Sequence, residues 1–296
     1  MRILFVTSNR LGDAVLSTGL LDRLIAMYPE ARITVACGPV AVGVFQRMPN
    51  LERIVPIAKL PYGRHWFALW RTTVTHVWDL VVDIRGSLLS WLVPARRRAA
   101  MRPSSGHKTA QLARVLRLTP PPMPVAWFDA EDAARVAGFF TAGRPVVALA
   151  PTANWGPKIW PPDRFAALFQ RLAASRLPNA IPAVIAGPGD TEAEMARPLL
   201  ERLPGAIDLV GKLSLPEIAA FLSRTSLFVG NDSGLMHLAA ASGAPVLGLF
   251  GPTNAAEYGP SGRAAHALVG PGKDMAGISV DAAFEAAIAL LAPSGD

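Results

Sequence analysis

The sequence predicts an α/β protein in which two doubly wound domains, each a parallel sheet covered by helices, follow one another along the chain. Short β-branched runs alternate with helical patterns from residue 3 onward, and a second series of the same kind begins at residue 146. The chain has 296 residues, enough for two domains of ordinary size. The predicted domains are residues 1–142 and 143–296.

The first series opens with the run ILFVT at 3–7, whose β-branched and aromatic composition is typical of a buried parallel strand. Apolar residues then recur at helical spacing over 14–28, and Pro29 ends the predicted helix. Further strands are predicted at 32–37 and 80–84. The segment 94–124 is rich in Pro and Arg and has no regular pattern.

The second series is more regular, and a linker is predicted before it at 138–145. Its predicted strands cover 146–150, 183–186, 208–210, 227–229 and 246–250. Its predicted helices cover 163–174, 191–203, 216–223, 234–242 and 280–291. Because doubly wound sheets bind ligands at the carboxyl ends of their strands, two such domains predict a site in a cleft that both domains face.

The formal charge is uneven, +9 in residues 1–142 and −2 in residues 143–296. This basic excess predicts an anionic partner for the first domain, such as nucleic acid, an acidic membrane surface or a phosphorylated glycolipid. No usual nucleic-acid motif is present, so no nucleic-acid partner is predicted. Arg96, Arg97 and Arg98 could dock an anionic surface with the nearby Trp66, Trp70 and Trp91, or form a solvated basic face with the tryptophans in the core.

The predicted location is the cytoplasm, with peripheral contact to the cytoplasmic face of the inner membrane as a hypothesis. The first apolar run is too short for a signal peptide, and no run of about 18 apolar residues occurs. The single cysteine, Cys37, excludes an internal disulfide. Neither zinc spacing nor an Asp-x-Asp metal motif is present, so no metal is predicted.

The first candidate site is the segment RLGD at 10–13, directly after the first predicted strand. Gly12 permits a tight turn there. Asp13 would then start the next helix at the carboxyl edge of the sheet. Its carboxylate can cap that helix or act as a general base toward a sugar hydroxyl, and position alone leaves both interpretations open.

Three further candidates follow strands of the second series. The turn GNDSG precedes a helix, whose exposed amides at Ser233 and Gly234 can hold a diphosphate while Asp232 accepts from sugar hydroxyls. The loop PTANWGPKIWPP carries Asn154 and Lys158, which could reach a phosphate. In the third, GPGDTE, Asp190 or Glu192 could accept from ribose hydroxyls or simply cap a helix.

These segments, in this order, resemble glycosyltransferase family 9, the ADP-heptose:lipopolysaccharide heptosyltransferases. The resemblance rests on RLGDAVLSTGLL, LAPTANWGPKIWPPDRFAAL, AGPGDTE, VGKLSLPEIAAFL and VGNDSGLMHLAAASGAPVLGLFGPT, which span residues 10–253. It implies the GT-B fold of two Rossmann-like domains, an N-terminal acceptor domain and a C-terminal donor domain. It also implies inverting transfer from an ADP-heptose-like donor to an anionic glycolipid or glycan acceptor, with no cofactor.

The resemblance also implies roles for particular residues. Asp13 matches the family's catalytic base, and Lys158 matches its phosphate-contacting lysine. Asp232, Ser233 and Gly234 match the donor-binding turn. Asp190 falls where the family has a ribose-binding acid. Lys212 and Leu213 fall where its members line the adenine pocket.

One segment departs from the family pattern. Arg85 stands where the family usually has Gln, and Leu89 stands where it has Lys. Because the resemblance places this segment at the acceptor, Arg85 is a predicted acceptor contact, as is Arg64, and the acceptor and exact sugar are left open. A sugar-nucleotide epimerase of the same architecture and a non-catalytic relative are the alternatives.

Overall fold

The computed structural model describes residues 1–58 and 61–292, and the chain forms two compact units, Met1–Trp127 and Phe128–Asp296. Each unit contains one sheet, and every strand pair within the two sheets is parallel. The two predicted parallel-sheet α/β domains are thus confirmed.

The first sheet has five strands in the order β3-β2-β1-β4-β5. The strands are β1 (Arg2–Val6), β2 (Arg32–Cys37), β3 (Leu51–Pro56), β4 (Leu80–Asp83) and β5 (Arg98–Ala100). The central strand β1 is buried from Ile3 to Val6, which agrees with its continuous apolar sequence.

The helices of the first unit alternate with its strands. They are α1 (Leu11–Leu16), α2 (Thr18–Met27), α3 (Val42–Phe45), α4 (Arg64–Thr73), α5 (Leu89–Leu92) and α6 (Lys108–Ala113). Helices α4 and α5 cover one face of the sheet, where Leu69 and Leu89 pack with Leu4, Val6 and Val81.

The predicted helix over 14–28 is two helices in the structure, because Ser17 interrupts it. The Ser17 hydroxyl donates to the carbonyl of Ala14 at 2.7 Å and shares a hydrogen bond with the Thr7 hydroxyl at 2.9 Å. Thr18 donates to the carbonyl of Val15 at 2.7 Å. Such side-chain bonds to the preceding turn compete with the helical ladder and bend helices.

The second sheet has six strands in the order β11-β10-β9-β6-β7-β8. The strands are β6 (Val146–Ala150), β7 (Ile181–Val184), β8 (Ile207–Asp208), β9 (Leu227–Asn231), β10 (Val246–Phe250) and β11 (Ala265–Val269). Read from β8, this is the Rossmann order 3-2-1-4-5-6, and the first sheet has the same order without its sixth strand.

The second unit has seven α-helices among its described residues. They are α7 (Ala130–Val136), α8 (Pro162–Ser175), α9 (Asp190–Arg202), α10 (Leu215–Leu222), α11 (Gly234–Ala241), α12 (Ala255–Tyr258) and α13 (Val280–Leu291). Short 3₁₀ helices in the two units cover Pro39–Ala41, Pro61–Gly63, Arg114–Leu116, Ala137–Phe139, Gly156–Lys158, Pro271–Lys273 and Met275–Gly277.

The boundary between the units lies after Trp127 rather than after residue 142. Helix α7 belongs to the second unit, because the Arg135 guanidinium forms an ion pair with Glu217 on α10 at 3.2 Å. The rings of Phe139 and Phe140 then pack on Phe221 of the same helix. The segment predicted as a linker, 138–145, is therefore anchored to this unit in its first part.

In the described part of the chain, no helix combines the length and the apolar character that crossing a membrane requires.

Candidate functional site

The strand order of each sheet marks one place for a ligand. In the first sheet, β2 and β3 lie on one side of β1, and β4 lies on its other side. In the second sheet, β7 and β8 lie on one side of β6, and β9 lies on its other side. At such a switch point, the loops at the carboxyl ends of the two strands leave a crevice. The loops after β1, β4, β6 and β9 are thus the expected binding loops, and they carry most of the predicted site residues.

Asp13 lies in the first turn of α1, close to the carboxyl end of β1. The helix is capped by the backbone of Arg10, with no side-chain capping bond, so the interpretation of Asp13 as an N-cap is wrong. The Asp13 carboxylate is half-buried and accepts one hydrogen bond from Ser8 Oγ at 3.2 Å. Its other oxygen is therefore available to a substrate hydroxyl.

Gly12 does not form the turn that was predicted for it. Helix α1 already begins at Leu11, and Arg10 takes the extended conformation that precedes the helix (φ −94°, ψ 138°). Ser8 Oγ accepts from the Arg10 amide at 3.1 Å, so the turn before the helix is formed by residues 8–10 rather than at Gly12. Gly12 lies inside the helix, where no positive φ is required of it.

The loop after β4 is organised by a fully buried carboxylate, Asp83. Its oxygens accept from the amides of Arg85 and Ser87, both at 2.9 Å, and from the Ser87 hydroxyl at 2.5 Å. Gly86 takes a φ of +62° between them and lies so near the Met101 carbonyl that a Cβ would come within 2.9 Å of that oxygen. This turn fixes the direction of the Arg85 side chain.

Arg85 connects three segments at this edge of the first sheet. Its Nη1 donates to Asn9 Oδ1 at 3.0 Å, and its guanidinium lies 4.7 Å from the centre of the Trp66 ring on α4. Arg64 is exposed at the first residue of α4, two residues before Trp66. Arg85 therefore lies against Trp66, on the carboxyl side of the sheet where Asp13 lies, and Arg64 is on the same helix as that tryptophan.

In the second unit, the structure brings Lys158 and Asp232 together across the switch point. Lys158 Nζ lies 2.6 Å from Asp232 Oδ2, and their side chains are 17% and 8% exposed. Lys158 comes from the loop after β6, and Asp232 follows β9 directly. The carboxylate thus holds a half-desolvated ammonium group at the carboxyl edge, where a point charge can meet a phosphate.

The start of α11 lies beside this pair. Ser233 is its N-cap residue and Gly234 its first helical residue, but the Ser233 side chain makes no capping bond. Within the described chain, Ser233 Oγ is buried without a hydrogen-bond partner. A buried unpaired hydroxyl costs about 1–3 kcal/mol, so this group and the free helix amides indicate a place for an anionic ligand.

A buried asparagine, Asn231, holds the two loops of this site together. Its Oδ1 accepts from the Trp160 amide at 3.1 Å, and its Nδ2 donates to the Pro151 carbonyl at 2.8 Å. The indole of Trp160 is fully buried and donates to the Ile278 carbonyl at 3.0 Å. Both ends of the Lys158 loop are thus fixed, although the sequence suggested no role for Asn231.

Asn154 lies in the same loop and is exposed. Asp190 is exposed at the first residue of α9. Glu192, which the sequence left as an alternative to Asp190, directs its carboxylate toward Gly187 after β7. Its Oε2 is buried and has no partner within the described chain. Of the two acids, Glu192 therefore has the geometry of a group that accepts from a ligand hydroxyl.

Lys212 and Leu213 form the turn after β8. The Lys212 ammonium pairs with Asp208 at the end of that strand. Burial raises the pKa of Asp208, but the hydrogen bonds from Lys212 and from the Val210 amide outweigh it and lower that pKa below its usual range. Leu213 is half-buried at this end of the sheet.

The candidate residues form a row along the carboxyl edge of the second sheet. In spatial order the strands β8, β7, β6 and β9 bring Lys212, Glu192, Lys158 and Asp232 to that edge. Three strand spacings correspond to about 14 Å, a length that suits an extended nucleotide. Beyond them, at the end of β10, Thr253 has a buried hydroxyl with no partner among the described residues; the sequence indicated it only as part of the segment LFGPT.

The predicted docking cluster is divided in the structure. Arg96 forms an ion pair with Asp79 at 3.0 Å, and Arg98 donates to the carbonyls of Ser90, Val93 and Ala95. Of the tryptophans, Trp66 and Trp70 pack against the core and only Trp91 is largely exposed, at 69%. Trp66 and Trp70 thus agree with the alternative of tryptophans in the core, and docking to an anionic surface stays a prediction.

Among residues 1–58 and 61–292, no group of three or more His, Cys, Asp or Glu side chains is arranged to hold a metal ion.

The sequence profile of Glycosyltransferase family 9 (heptosyltransferase) matches residues 116–280 of the chain. Lipooligosaccharide heptosyltransferase 2 of Haemophilus influenzae is 25% identical, over 86% of this chain and 84% of the relative. The solved glycosyl transferase family 9 protein of Veillonella parvula is 21% identical with a TM-score of 0.81, covering 98% of this chain and 97% of the other.

E. coli ADP-heptose lps heptosyltransferase II is 20% identical with a TM-score of 0.78, covering 98% of both chains. Two Rossmann-ordered sheets, each with polar loops at its switch point, are the two domains of the GT-B fold, and the predicted fold class is confirmed. The family profile matches more than half of this chain. The chain therefore belongs to glycosyltransferase family 9 and is a glycosyltransferase enzyme.

Proposed function

We propose that the enzyme transfers heptose, or a closely related sugar, from an ADP-sugar to a lipopolysaccharide core or a similar anionic glycan, with inversion at the anomeric carbon. The observation that carries this proposal is the Lys158–Asp232 pair beside the unpaired Ser233 hydroxyl at the switch point of the second sheet. Support also comes from its relatives, which are named as heptosyltransferases of lipopolysaccharide or lipooligosaccharide.

The second unit binds the donor in this proposal. The diphosphate lies at the start of α11, where the amides of Ser233 and Gly234 and the Lys158 ammonium neutralise its charge. Glu192 accepts from the ribose hydroxyls, and Lys212 and Leu213 contact the adenine. Asp232 keeps Lys158 in place and accepts from the sugar. Asn154 lies where it can add a phosphate contact.

The first unit binds the acceptor. Arg85 and Arg64 attract its negative charge, and Asp13 removes the proton from the attacking hydroxyl. The oxygen forms a bond to the anomeric carbon on the face opposite the nucleotide while the bond from that carbon to the diphosphate oxygen breaks. ADP leaves with the electron pair of that bond, and Lys158 with the helix amides stabilises the growing charge.

No cofactor takes part in this mechanism: the nucleotide sugar is a co-substrate, and the lysine and the helix amides supply the positive charge that a divalent ion would otherwise provide. Transfer should accordingly persist in the presence of EDTA.

The test of the base is Asp13→Asn. The amide keeps the shape of the side chain and can still accept from Ser8, but it cannot take a proton. We expect kcat to fall by about 10²–10⁴-fold, while the Kd for ADP stays unchanged because Asp13 lies in the other unit. Transfer would be measured by mass spectrometry of the extended acceptor.

Ser8→Ala is the matched control, because it removes the only described partner of the Asp13 carboxylate without removing the base. Its kcat should fall by less than about 10-fold. Near wild-type turnover of Asp13→Asn would disprove the assignment of the base. An epimerase would convert the donor with no acceptor present, so product analysis with ADP-heptose alone separates the two activities.

The acceptor unit also has a surface suited to an anionic membrane, which we propose as the place where it meets a lipid-linked acceptor. Phe67, Leu88 and Trp91 are 61–79% exposed on and beside α4 and α5. Arg64 and Arg71 are exposed on α4. Exposed aromatic and basic side chains together favour the interface of acidic lipids.

Sedimentation with vesicles tests this surface. We expect binding to phosphatidylglycerol-containing vesicles that weakens as the salt concentration rises, and that is reduced by Trp91→Ser and Phe67→Ser. Binding that ignores both the ionic strength and these substitutions would contradict the proposal.

A further inference from the structure

The first unit contains a basic cavity that the proposed transfer reaction does not use. It has a volume of about 740 Å³ and lies along β5, an edge strand of the first sheet. Five arginines line it, and none of its lining residues is acidic: Arg97, Arg98, Arg102, Arg114 and Arg117. We call this cavity the arginine pocket.

Two of these arginines build the wall. Arg98 donates to three backbone carbonyls at 2.7–3.0 Å, and Arg114 donates to the Ser105 carbonyl at 2.9 Å. These bonds hold both side chains at the wall, and since backbone carbonyls are neutral, they add no negative charge to the pocket.

All five side chains are exposed, and in the described part of the chain the other three make no hydrogen bond to the backbone. Arg102 and Arg117 have no side-chain hydrogen bond, ion pair or ring contact within the described residues. The described contact of the Arg97 guanidinium is with the Tyr28 ring, at 6.0 Å. These guanidinium groups can still bind a ligand.

Of the five arginines, Arg97 lies within reach of the charge of Asp79. Asp79 pairs with Arg96 and accepts from the Arg2 amide at 2.8 Å. Asp83 is fully buried and is occupied by the turn after β4. Like charges gathered around one cavity repel each other, so an anion that enters it relieves this repulsion.

We propose that the arginine pocket binds a ligand with a phosphomonoester or diphosphate group. Guanidinium groups bind phosphate oxygens through paired N–H donors, and several converging arginines favour a multiply charged anion over a carboxylate. The volume lies in the range of small-molecule sites, about 300–1,000 Å³. Such a phosphate belongs either to a soluble compound or to the headgroup of a phosphorylated lipid.

The pocket is distinct from the proposed transfer residues. The donor residues belong to the other unit, and Arg64 and Arg85, the proposed acceptor contacts, are not among its lining residues. The inference stands on the pocket alone and does not require the proposed donor or acceptor to be correct.

The test compares two double variants. Arg102→Gln with Arg117→Gly removes two charges from the pocket, and glycine suits the left-handed backbone at residue 117 (φ +56°). Arg23→Gln with Arg53→Gln removes two charges from exposed positions elsewhere on the first unit. Both are made in a Lys158→Gln background, which weakens binding of the probe at the proposed donor site, and both are compared with that parent.

Inorganic pyrophosphate and lipid vesicles are the probes. Pyrophosphate binding is measured by calorimetry and thermal shift. Vesicles of phosphatidylcholine with phosphatidic acid, a phosphomonoester, are compared with vesicles containing phosphatidylglycerol, a diester. We expect the pocket variant to lose at least about 10-fold in affinity for pyrophosphate or for the phosphatidic acid vesicles. The control variant should keep the affinity of the parent. Neither variant should have a Tm below that of the parent.

Loss confined to pyrophosphate assigns a soluble ligand, and loss confined to phosphatidic acid vesicles assigns a lipid headgroup; either supports the pocket. Equal binding by the pocket and control variants, or no binding of either probe by the parent, would overturn it. None of these outcomes depends on transfer activity. Loss of the pocket proposal would therefore leave the proposed function untouched, and loss of the proposed function would leave the pocket proposal untouched.

Discussion

At the scale of single residues, the Lys158–Asp232 pair is the most informative contact. Each charge is mostly removed from water, and each is compensated by the other at 2.6 Å. Removal of one partner leaves the other buried and unpaired, which is costly. The pair therefore keeps a cation at the phosphate position even before the nucleotide arrives.

We predict that Lys158→Gln weakens ADP binding by about 10–100-fold, because a charge-assisted hydrogen bond contributes about 1.5–3 kcal/mol. Titration calorimetry with ADP measures this. Lys273→Gln, which changes an exposed lysine of the same unit, is the control and should bind ADP normally. Unchanged ADP affinity in Lys158→Gln would refute the placement of the diphosphate.

Much of the candidate site could be predicted from the sequence because its residues directly follow apolar strands. Asp232 comes directly after β9, and Asp13 and Lys158 lie in the first helical turns after β1 and β6. Parallel strands bring their carboxyl ends to one edge of the sheet. The choice between Asp190 and Glu192 could not be made, since it depends on which side chain turns toward Gly187. Thr253 was not identified because a buried unpaired hydroxyl is visible only in three dimensions.

At the scale of elements, the central strands were predicted, whereas of the four edge strands only β8 was. The buried strands β1, β2, β6, β9 and β10 have continuous apolar sequences, and their predicted positions agree closely with the structure. The edge strands β3, β5 and β11 alternate between buried and exposed or are only partly buried. An edge strand has a solvated side and needs no apolar run, so its sequence carries a weaker signal.

Helix α10 is held by a capping box that gives an element-scale prediction. Ser214 Oγ accepts from the Glu217 amide at 3.4 Å, and the Glu217 carboxylate accepts from the Ser214 amide at 2.7 Å. Loss of an N-cap hydroxyl costs about 1 kcal/mol. Ser214→Ala should therefore lower the free energy of unfolding by about that amount, measured by urea denaturation. Ser175→Ala, at the exposed last residue of α8, is the comparison.

The same helix predicts a pH dependence. Burial raises the pKa of Glu217, but hydrogen bonds from Ser214 and Arg135 outweigh it and lower that pKa. The unfolded-state pKa of a glutamate is about 4.3. Because the folded-state pKa is lower, the carboxylate stabilises the folded protein at pH values above about 4.3, and this stability is lost as the pH falls through the folded-state pKa. Glu217→Gln should therefore be less stable than the wild type at pH 7 and should lose less stability between pH 5 and 3.

At the scale of the whole molecule, the chain repeats one architecture twice. Both sheets have the strand order 3-2-1-4-5, and the second adds a sixth strand. The order follows from the preference for right-handed crossovers, but the sequence could not fix where one unit ends. The boundary depends on α7, whose contacts with α10 are made across about 80 residues of sequence.

A nucleotide should therefore protect one unit. We predict that ADP slows hydrogen exchange in the loops after β6, β7, β8 and β9 and leaves Met1–Trp127 unchanged. At 100 times its Kd it should stabilise the protein by about 2.7 kcal/mol. UDP, which has the same diphosphate and another base, is the control and should protect the loop after β8 less; protection that appears only in Met1–Trp127 would contradict the donor assignment.

The two hydrogen bonds of Asn231 have a consequence for the kinetics of nucleotide entry. Since these bonds tie the Lys158 loop to the protein itself, we expect little chain ordering on binding and an association rate limited by diffusion and charge rather than by loop rearrangement. Replacement of Asn231 by alanine would free that loop, so ADP would enter more slowly and with a more negative heat-capacity change.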